Sequence, residues 1–335
     1  MAFQMKDVAT RAGVSTSTVS LVLRNSKLIS PEISQRVREI AQALNYQVNP
    51  HARRLRRGQS TSLGLIISEM ANPFFPEVIN GFEAAASAQG FELLLYNTEL
   101  DPERMDNAVN KMLRENVRGV AVLTSTIEER QLAALLRHNI PVVLLSMGPE
   151  HPSARKIEID FATGIVQAID HLSALGHKSF GVIAEPVLTG SAVTTRDVLL
   201  RCLAKKELRP ACVTDSSHQV DGASAAVHFL LRQAHLPTAL LCGNDLIAIG
   251  AISALQEANI RVPEDMSVVG IDDILFASLA CPPLTTIHVP RAELGRLSFA
   301  VLEQMRRPSI GSTHRPRVNT HLVIRKSTST PRMSL

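Results

Sequence analysis

Residues 49–58 place Arg53, Arg54, Arg56 and Arg57 around a single leucine, Leu55, between Asn49-Pro50 and Gly58. In a solvated linker the leucine would have nothing to pack against, and the arginines would repel one another. Against a narrow minor groove the same order of residues is useful: guanidinium groups meet phosphates while an apolar side chain wedges between base steps. Asn49 can cap, Pro50 suits the first helical position and Gly58 supplies a stop, so this chemistry is expected on one or two helical turns.

A second polar group lies upstream. Thr16, Ser17, Ser20, Leu21 and Arg24 are left outward on a segment whose apolar positions Val19, Val22 and Leu23 share another face. Ser15 is a good N-cap for it. The preceding segment has apolar residues at 5, 8, 9 and 12 and is stopped by Gly13, which gives helix, glycine turn, helix. A third helix is expected from Ser30-Pro31-Glu32 through Ile33, Val37, Ile40, Ala41 and Leu44. In a helix-turn-helix the start of the second helix enters the major groove. Ser/Thr-rich helices around a glycine also occur in other all-helical domains, and the arginine–leucine segment decides between the two. Charge agrees: residues 1–60 hold ten Lys/Arg against three acids, a net +7, leaving −3 for the rest of a chain whose formal total is +4. A basic segment on a mildly acidic body points to a polyanion at the small segment.

The remaining chain must hold the other candidate groups. At 335 residues the chain exceeds what one core usually supports, roughly 250–300 residues. Short apolar runs are expected as strands at 63–68, 92–97, 119–123, 142–146, 180–184, 238–242, 267–271 and 285–289, with amphipathic helices between them, among them 75–89, 105–115, 128–137, 162–175 and 247–258. The alternation predicts doubly wound parallel sheets, one in 64–159 and one in 163–288, hence two lobes. Ligands in such folds sit outside the carboxyl ends of strands. Those ends carry Asn72-Pro73-Phe74-Phe75, Ser146, Asn244-Asp245 and Asp272-Asp273, polar groups and flat rings suited to a sugar or a nucleobase. Each has a structural alternative, since Asn244 and Asp245 can cap a helix and Asp272 can tie a loop. His177 after Gly176 reads as a structural loop histidine.

Other chemistries find little support. No two glycines lie closer than five positions apart, which removes GxGxxG and GxSxG, and neither GxxxxGK[ST] nor HExxH occurs. No catalytic residue, metal or cofactor is expected. The cysteines at 202, 212, 242 and 281 have no metal or redox spacing and read as buried thiols. An enzyme would need unrecognised residues. A free periplasmic sugar-binding protein is opposed by the basic headpiece and by a first segment without an apolar signal-peptide stretch, so a cytoplasmic location is expected. Apolar runs are also too short for a membrane span of roughly 20 residues.

Met5-Lys6-Asp7-Val8-Ala9, Ala12-Gly13-Val14-Ser15, Thr18-Val19-Ser20, Leu44-Asn45-Tyr46 and Asn49-Pro50-His51-Ala52-Arg53-Arg54-Leu55 resemble the headpiece and hinge of the lac repressor family. Further motifs extend the resemblance over nearly the whole chain: Asn72–Phe75, Leu175-Gly176-His177, Asn244–Gly250, Val262–Asp265, Val268–Asp273 and Pro283–Ile287. The resemblance implies an all-α helix-turn-helix headpiece at 1–48, a hinge helix at 49–60, and an α/β two-lobed periplasmic-binding-protein-like core at 61–335. The N-lobe is expected at about 61–159 plus 291–318, and the C-lobe at about 160–290 plus 319–328. It implies base reading by Thr16, Ser17 and Leu21, with Arg24 on the same side, and a minor-groove hinge of Arg53, Arg54, Leu55 and Arg56. Effector binding would fall to Phe74, Phe75, Ser146, Arg196, Asn244 and Asp272. Three positions depart from the family pattern: Leu21 stands where some members have arginine and favours a thymine methyl over guanine, Arg196 lacks the glycine and aromatic that follow it in many members, and Ser146 stands where several carry an acidic or other polar ligand group. The implied function is a homodimeric repressor on palindromic operator DNA, controlled by a sugar or sugar derivative, with a nucleobase or nucleoside as the alternative. The polar segment after Arg325 shows no leucine heptads, so a dimer and not a tetramer is expected.

Overall fold

Helix α1 (Met5–Ala12) ends where Gly13 takes φ +64°, a left-handed turn that side-chain-bearing residues resist. The computed structural model describes residues 3–23, 26, 28–46, 60–124, 127–145, 151–185, 193–217, 220–306 and 316–332. The chain divides into two units, Met1–Ser60 and Thr61–Leu335. In the first, α2 (Thr16–Val22) starts at Ser15, whose hydroxyl accepts from the Thr18 amide at 3.1 Å. Helix α3 (Pro31–Ala43) starts at Ser30, with Pro31 in the first turn. Val8, Ala12, Val19, Val22, Val37, Ala41 and Leu44 form one small buried core. The three helices expected from spacing and capping are all present.

The second unit carries two six-stranded sheets. One runs β11-β5-β4-β3-β1-β2 and is parallel throughout, from β1 (Ser62–Ile67), β2 (Glu92–Asn97), β3 (Val120–Leu123), β4 (Val142–Leu145), β5 (Arg155–Asp160) and β11 (Arg317–Asn319). The other runs β12-β10-β9-β8-β6-β7, from β6 (Phe180–Ala184), β7 (Cys212–Asp215), β8 (Ala239–Cys242), β9 (Ser267–Asp272), β10 (Thr285–His288) and β12 (His321–Val323). Only its β10–β12 pair is antiparallel.

Both faces of each sheet are buried, which explains the unbroken apolar runs. Along β1, Leu63, Leu65 and Ile67 enter one core while Ile66 enters another. The first sheet is covered by α4 (Phe75–Ser87) and α12 (Arg291–Arg306) on one side, and by α5 (Pro102–Arg114) and α6 (Glu129–Arg137) on the other. The second is covered by α7 (Phe161–Ala174) and α8 (Thr195–Lys205), and by α9 (Val220–Leu231) and α10 (Asp245–Glu257); the short α11 (Leu275–Leu279) follows β9. Helices α4 and α12 touch backbone to backbone at Gly295, where a Cβ would stand 2.0 Å from the Val78 carbonyl oxygen.

The chain passes between sheets three times: from β5 into α7, from β10 into α12 and from β11 into β12. Strands β5, β7, β11 and β12 lie outside the expected set. Arg155-Lys156-Ile157-Glu158-Ile159-Asp160 has no apolar run, and only Ile157 is fully buried; the other three are short strands at or near a sheet edge. Cys202, Cys212 and Cys242 are buried, whereas Cys281 is exposed just past the surface helix α11. His177 is structural: its Nε2 donates to the Ser329 carbonyl at 2.8 Å, and burial lowers its pKa and keeps the ring neutral.

Candidate functional site

In the first unit, Val19 and Val22 turn inward and fix the rotation of α2. Ser17 is then exposed, and Thr16, Ser20 and Leu21 are half-buried, on the remaining surface of the helix. Ser15, Thr16, Ser17 and Thr18 gather hydroxyls at the helix start, with Ser15 and Thr18 in mutual hydrogen bond at 2.9 Å. Arg24 and the hinge residues Arg53, Arg54, Leu55 and Arg56 lie outside the described residues, as does Ser146.

In the second unit, the strand order of the C-lobe sheet aligns a row of carboxyl-end groups: His288 ending β10, Asp272 ending β9, Asn244 after β8, Glu185 after β6 and Asp215 ending β7. Neighbouring strands stand about 4.8 Å apart, so adjacent members of the row are within reach of one small ligand. Asn244 does cap α10, its Oδ1 accepting from the Ile247 amide at 2.8 Å, while its Nδ2 donates to Glu185 Oε1 at 3.2 Å. Arg196, at the start of α8, is ion-paired with Asp215.

Asp272 has φ +116° and Asp273 φ +56°. Two consecutive non-glycine residues in this region store strain that the surroundings must enforce. Three groups of contacts do so. Asp245 is fully buried and accepts from the Thr286 hydroxyl at 2.5 Å and from the Ile274 amide at 2.8 Å. Asp273 is held by Arg325 at 2.6 Å and by His288 at 2.8 Å. The guanidinium of Arg291 donates to the Asp272 carbonyl. No hydrogen bond to the Asp272 carboxyl is made among the described residues. Burial raises its pKa well above the usual range, Asp245 and Glu185 push in the same direction, and Arg291 opposes them. A desolvated carboxyl on an enforced backbone is a group waiting for hydrogen-bond donors.

Arg291 also joins the lobes. It is 4% exposed, and its Nη2 donates at 2.7 Å to Glu77 Oε1, in the first turn of α4. Two and three residues before Glu77 stand Phe75 and Phe74, an edge-to-face pair with centroids 5.3 Å apart, 6% and 8% exposed. Most of their surface belongs to the N-lobe core, so only a minor part of either ring is open to a ligand. Sequence reasoning did not find Arg291 or Glu185, and it read Asp245 only as a strand-end polar group or a helix cap, not as a buried support. The signals were present as an arginine directly after Pro290 at an interlobe crossing, and as a lone acid inside an otherwise apolar helix start.

A trihelical headpiece with a polar second helix, joined to a two-lobed α/β body with a polar row at its strand ends, defines a class of bacterial transcription regulators. Comparison with known proteins agrees. Residues 4–49 match the lacI family of bacterial regulatory proteins, and 169–328 match a periplasmic binding protein-like domain. The chain is 35% identical to the HTH-type transcriptional repressor PurR of Haemophilus influenzae (strain PittEE) over 96% of this chain and 98% of that one. Identity is 33% with PurR of Pasteurella multocida (strain Pm70), again over 96% and 98%. Among solved structures, the lac repressor dimer bound to operator and the anti-inducer ONPF aligns with TM-score 0.85 and 27% identity, covering 98% of this chain and all of that one. The CelR–cellobiose complex aligns with TM-score 0.71 and 26% identity, over 97% and 99%. The chain belongs to the lacI family of bacterial regulatory proteins.

Proposed function

We propose that the chain is an operator-binding repressor, not an enzyme, working as a cytoplasmic homodimer whose DNA affinity is set by a small molecule held between the lobes. Thr16, Ser17, Leu21 and Arg24 read bases, and Arg53, Arg54, Leu55 and Arg56 engage the minor groove. The effector contacts are Asp272, Asn244 and Arg196 of the C-lobe, with Ser146 and the open edges of Phe74 and Phe75 from the N-lobe. A two-fold protein matches a palindromic site, which favours the dimer. Among the described residues no helix is long and apolar enough to cross a membrane.

The observation that carries the effector reading is the Asp272 carboxyl, held on a strained turn and without a hydrogen-bond partner among the described residues. A sugar offers vicinal hydroxyl donors to such a carboxyl, and the likeness to the cellobiose-bound regulator supports it. A nucleobase or nucleoside is the second reading, supported by the Phe74–Phe75 pair and by the similarity to the PurR repressors. A thermal-shift screen of sugars, nucleosides and purines on the full chain decides between them, because a ligand of the native state raises Tm. The Asp272→Asn variant should lose the shift and retain operator binding in the absence of effector. Retention of the full shift would overturn the assignment of Asp272.

A further inference from the structure

A cavity of about 480 Å³ lies at the lobe junction. One wall is β5 with Arg317 of β11, from the first sheet; the other is the start of α7 and one face of α8, from the C-lobe. None of Phe74, Phe75, Arg196, Asn244 or Asp272 lines it.

Helix α8 presents Val198, Arg201, Cys202 and Lys205 to the cavity, a spacing of three, four and seven that defines one helical face. Val198 and Cys202, with Phe161 from α7, give an apolar floor. The rim is cationic, because Lys156, Arg201, Lys205 and Arg317 outnumber Glu158 and Asp160. Asp160 is already committed: Arg317 pairs with it and the Thr163 hydroxyl donates to it at 2.5 Å, which holds its pKa low despite partial burial. Arg201 uses only its Nε, on the Asp197 carbonyl at 3.2 Å. Among the described residues its terminal nitrogens and the Lys205 ammonium have no hydrogen-bond partner. Two cations therefore stand beside an apolar floor.

We propose that this cavity is a second ligand site, taking a small organic anion whose aromatic or aliphatic body covers Phe161, Val198 and Cys202 while its charged group meets Arg201 and Lys205. Because its walls belong to different lobes, occupancy favours the lobe arrangement that brings them together, and so provides an input to DNA affinity separate from the strand-end row.

The test uses 1-anilinonaphthalene-8-sulfonate as a fluorescent aromatic anion, titrated into the full chain. Saturable binding of one dye per chain is expected. The Arg201→Glu/Lys205→Glu variant, which changes only exposed side chains, should weaken it about tenfold or more, and the uncharged twin N-phenyl-1-naphthylamine should bind weakly to both proteins. Asp272→Asn and Phe276→Ser should leave the affinity unchanged. Equal affinity of the parent and the Arg201/Lys205 variant overturns the proposal, as does equal affinity for the uncharged twin. Loss in Asp272→Asn would move the dye to the strand-end row, and loss in Phe276→Ser to the exposed apolar surface of α11; either result overturns it.

Discussion

Replacing Asp245 by Asn should make the protein gain stability, relative to the parent, as pH rises. Burial pushes the Asp245 carboxyl up to about 7 from an ordinary value of 3.8. In the unfolded chain the group ionises near 3.8, so between there and about 7 the unfolded state sheds a proton that the folded state keeps. The folded state is therefore progressively disfavoured across that window, and the loss levels off above it. About three pH units at about 1.4 kcal/mol each give a cost of about 4 kcal/mol at pH 8. Asparagine has the same shape and no charge. Its Oδ1 can accept from the Ile274 amide and its Nδ2 can donate to the Thr286 hydroxyl, which accepts as readily as it donates, so both present contacts survive. The assay is urea unfolding followed by circular dichroism at pH 5, 6, 7 and 8, since the chain contains no tryptophan. The variant-minus-parent stability should climb by several kcal/mol over the window and then flatten. A difference that does not change with pH would refute the reasoning, for then the buried carboxyl carries no ionisation cost.

Leu55→Ala should reduce specific operator affinity, read by gel shift, while salt-sensitive nonspecific binding persists through the arginines. Leu21→Arg should shift base preference from thymine toward guanine at one position of each half-site by about 1–3 kcal/mol, measurable with a panel of single-base operator variants. Gly295→Ala should lower stability by about 1–3 kcal/mol or more, because its Cβ meets the Val78 carbonyl and the Phe82 amide rather than a side chain that can turn away. Light scattering should return a dimer for the free protein, and a stable tetramer would contradict the reading of the polar segment after Arg325.

The headpiece was legible because its signals are local. Ser15, Ser30, Pro31 and Gly13 each mark a helix end, the serines through their hydroxyls and Pro31 and Gly13 through their backbone, and the structure uses each in that way. The buried central strands were legible because both faces of each sheet are covered, which writes apolar runs such as Val120–Leu123. Four strands at or beside a sheet edge escaped: β5, beside the edge strand β11, alternates charges with isoleucine, and β11 is set by its pairing to Glu158–Asp160, some 160 positions earlier. The site divides in the same manner. Asn244 and Asp272 announce themselves at the ends of apolar runs. The supports of Asp272 come from Asp245, Thr286, Arg291 and Arg325, whose convergence is a property of three-dimensional packing and leaves no spacing to read. Asp245 shows the limit most clearly, since a capping acid and a buried loop anchor look identical in one dimension.

The return of the chain at β11 and β12 bears on synthesis. Strand β11 completes the edge of one lobe, and after a single intervening residue β12 completes the edge of the other. Ser329 then supplies the carbonyl that holds His177. A ribosome thus makes the closing pieces of both lobes after every other element of the described fold. Until they emerge, each nascent sheet exposes an unpaired edge to neighbouring chains and to chaperones. Premature termination before Arg317 would then leave two open sheet edges, and its cellular outcome is aggregation or proteolysis of the whole body, not the loss of a dispensable tail.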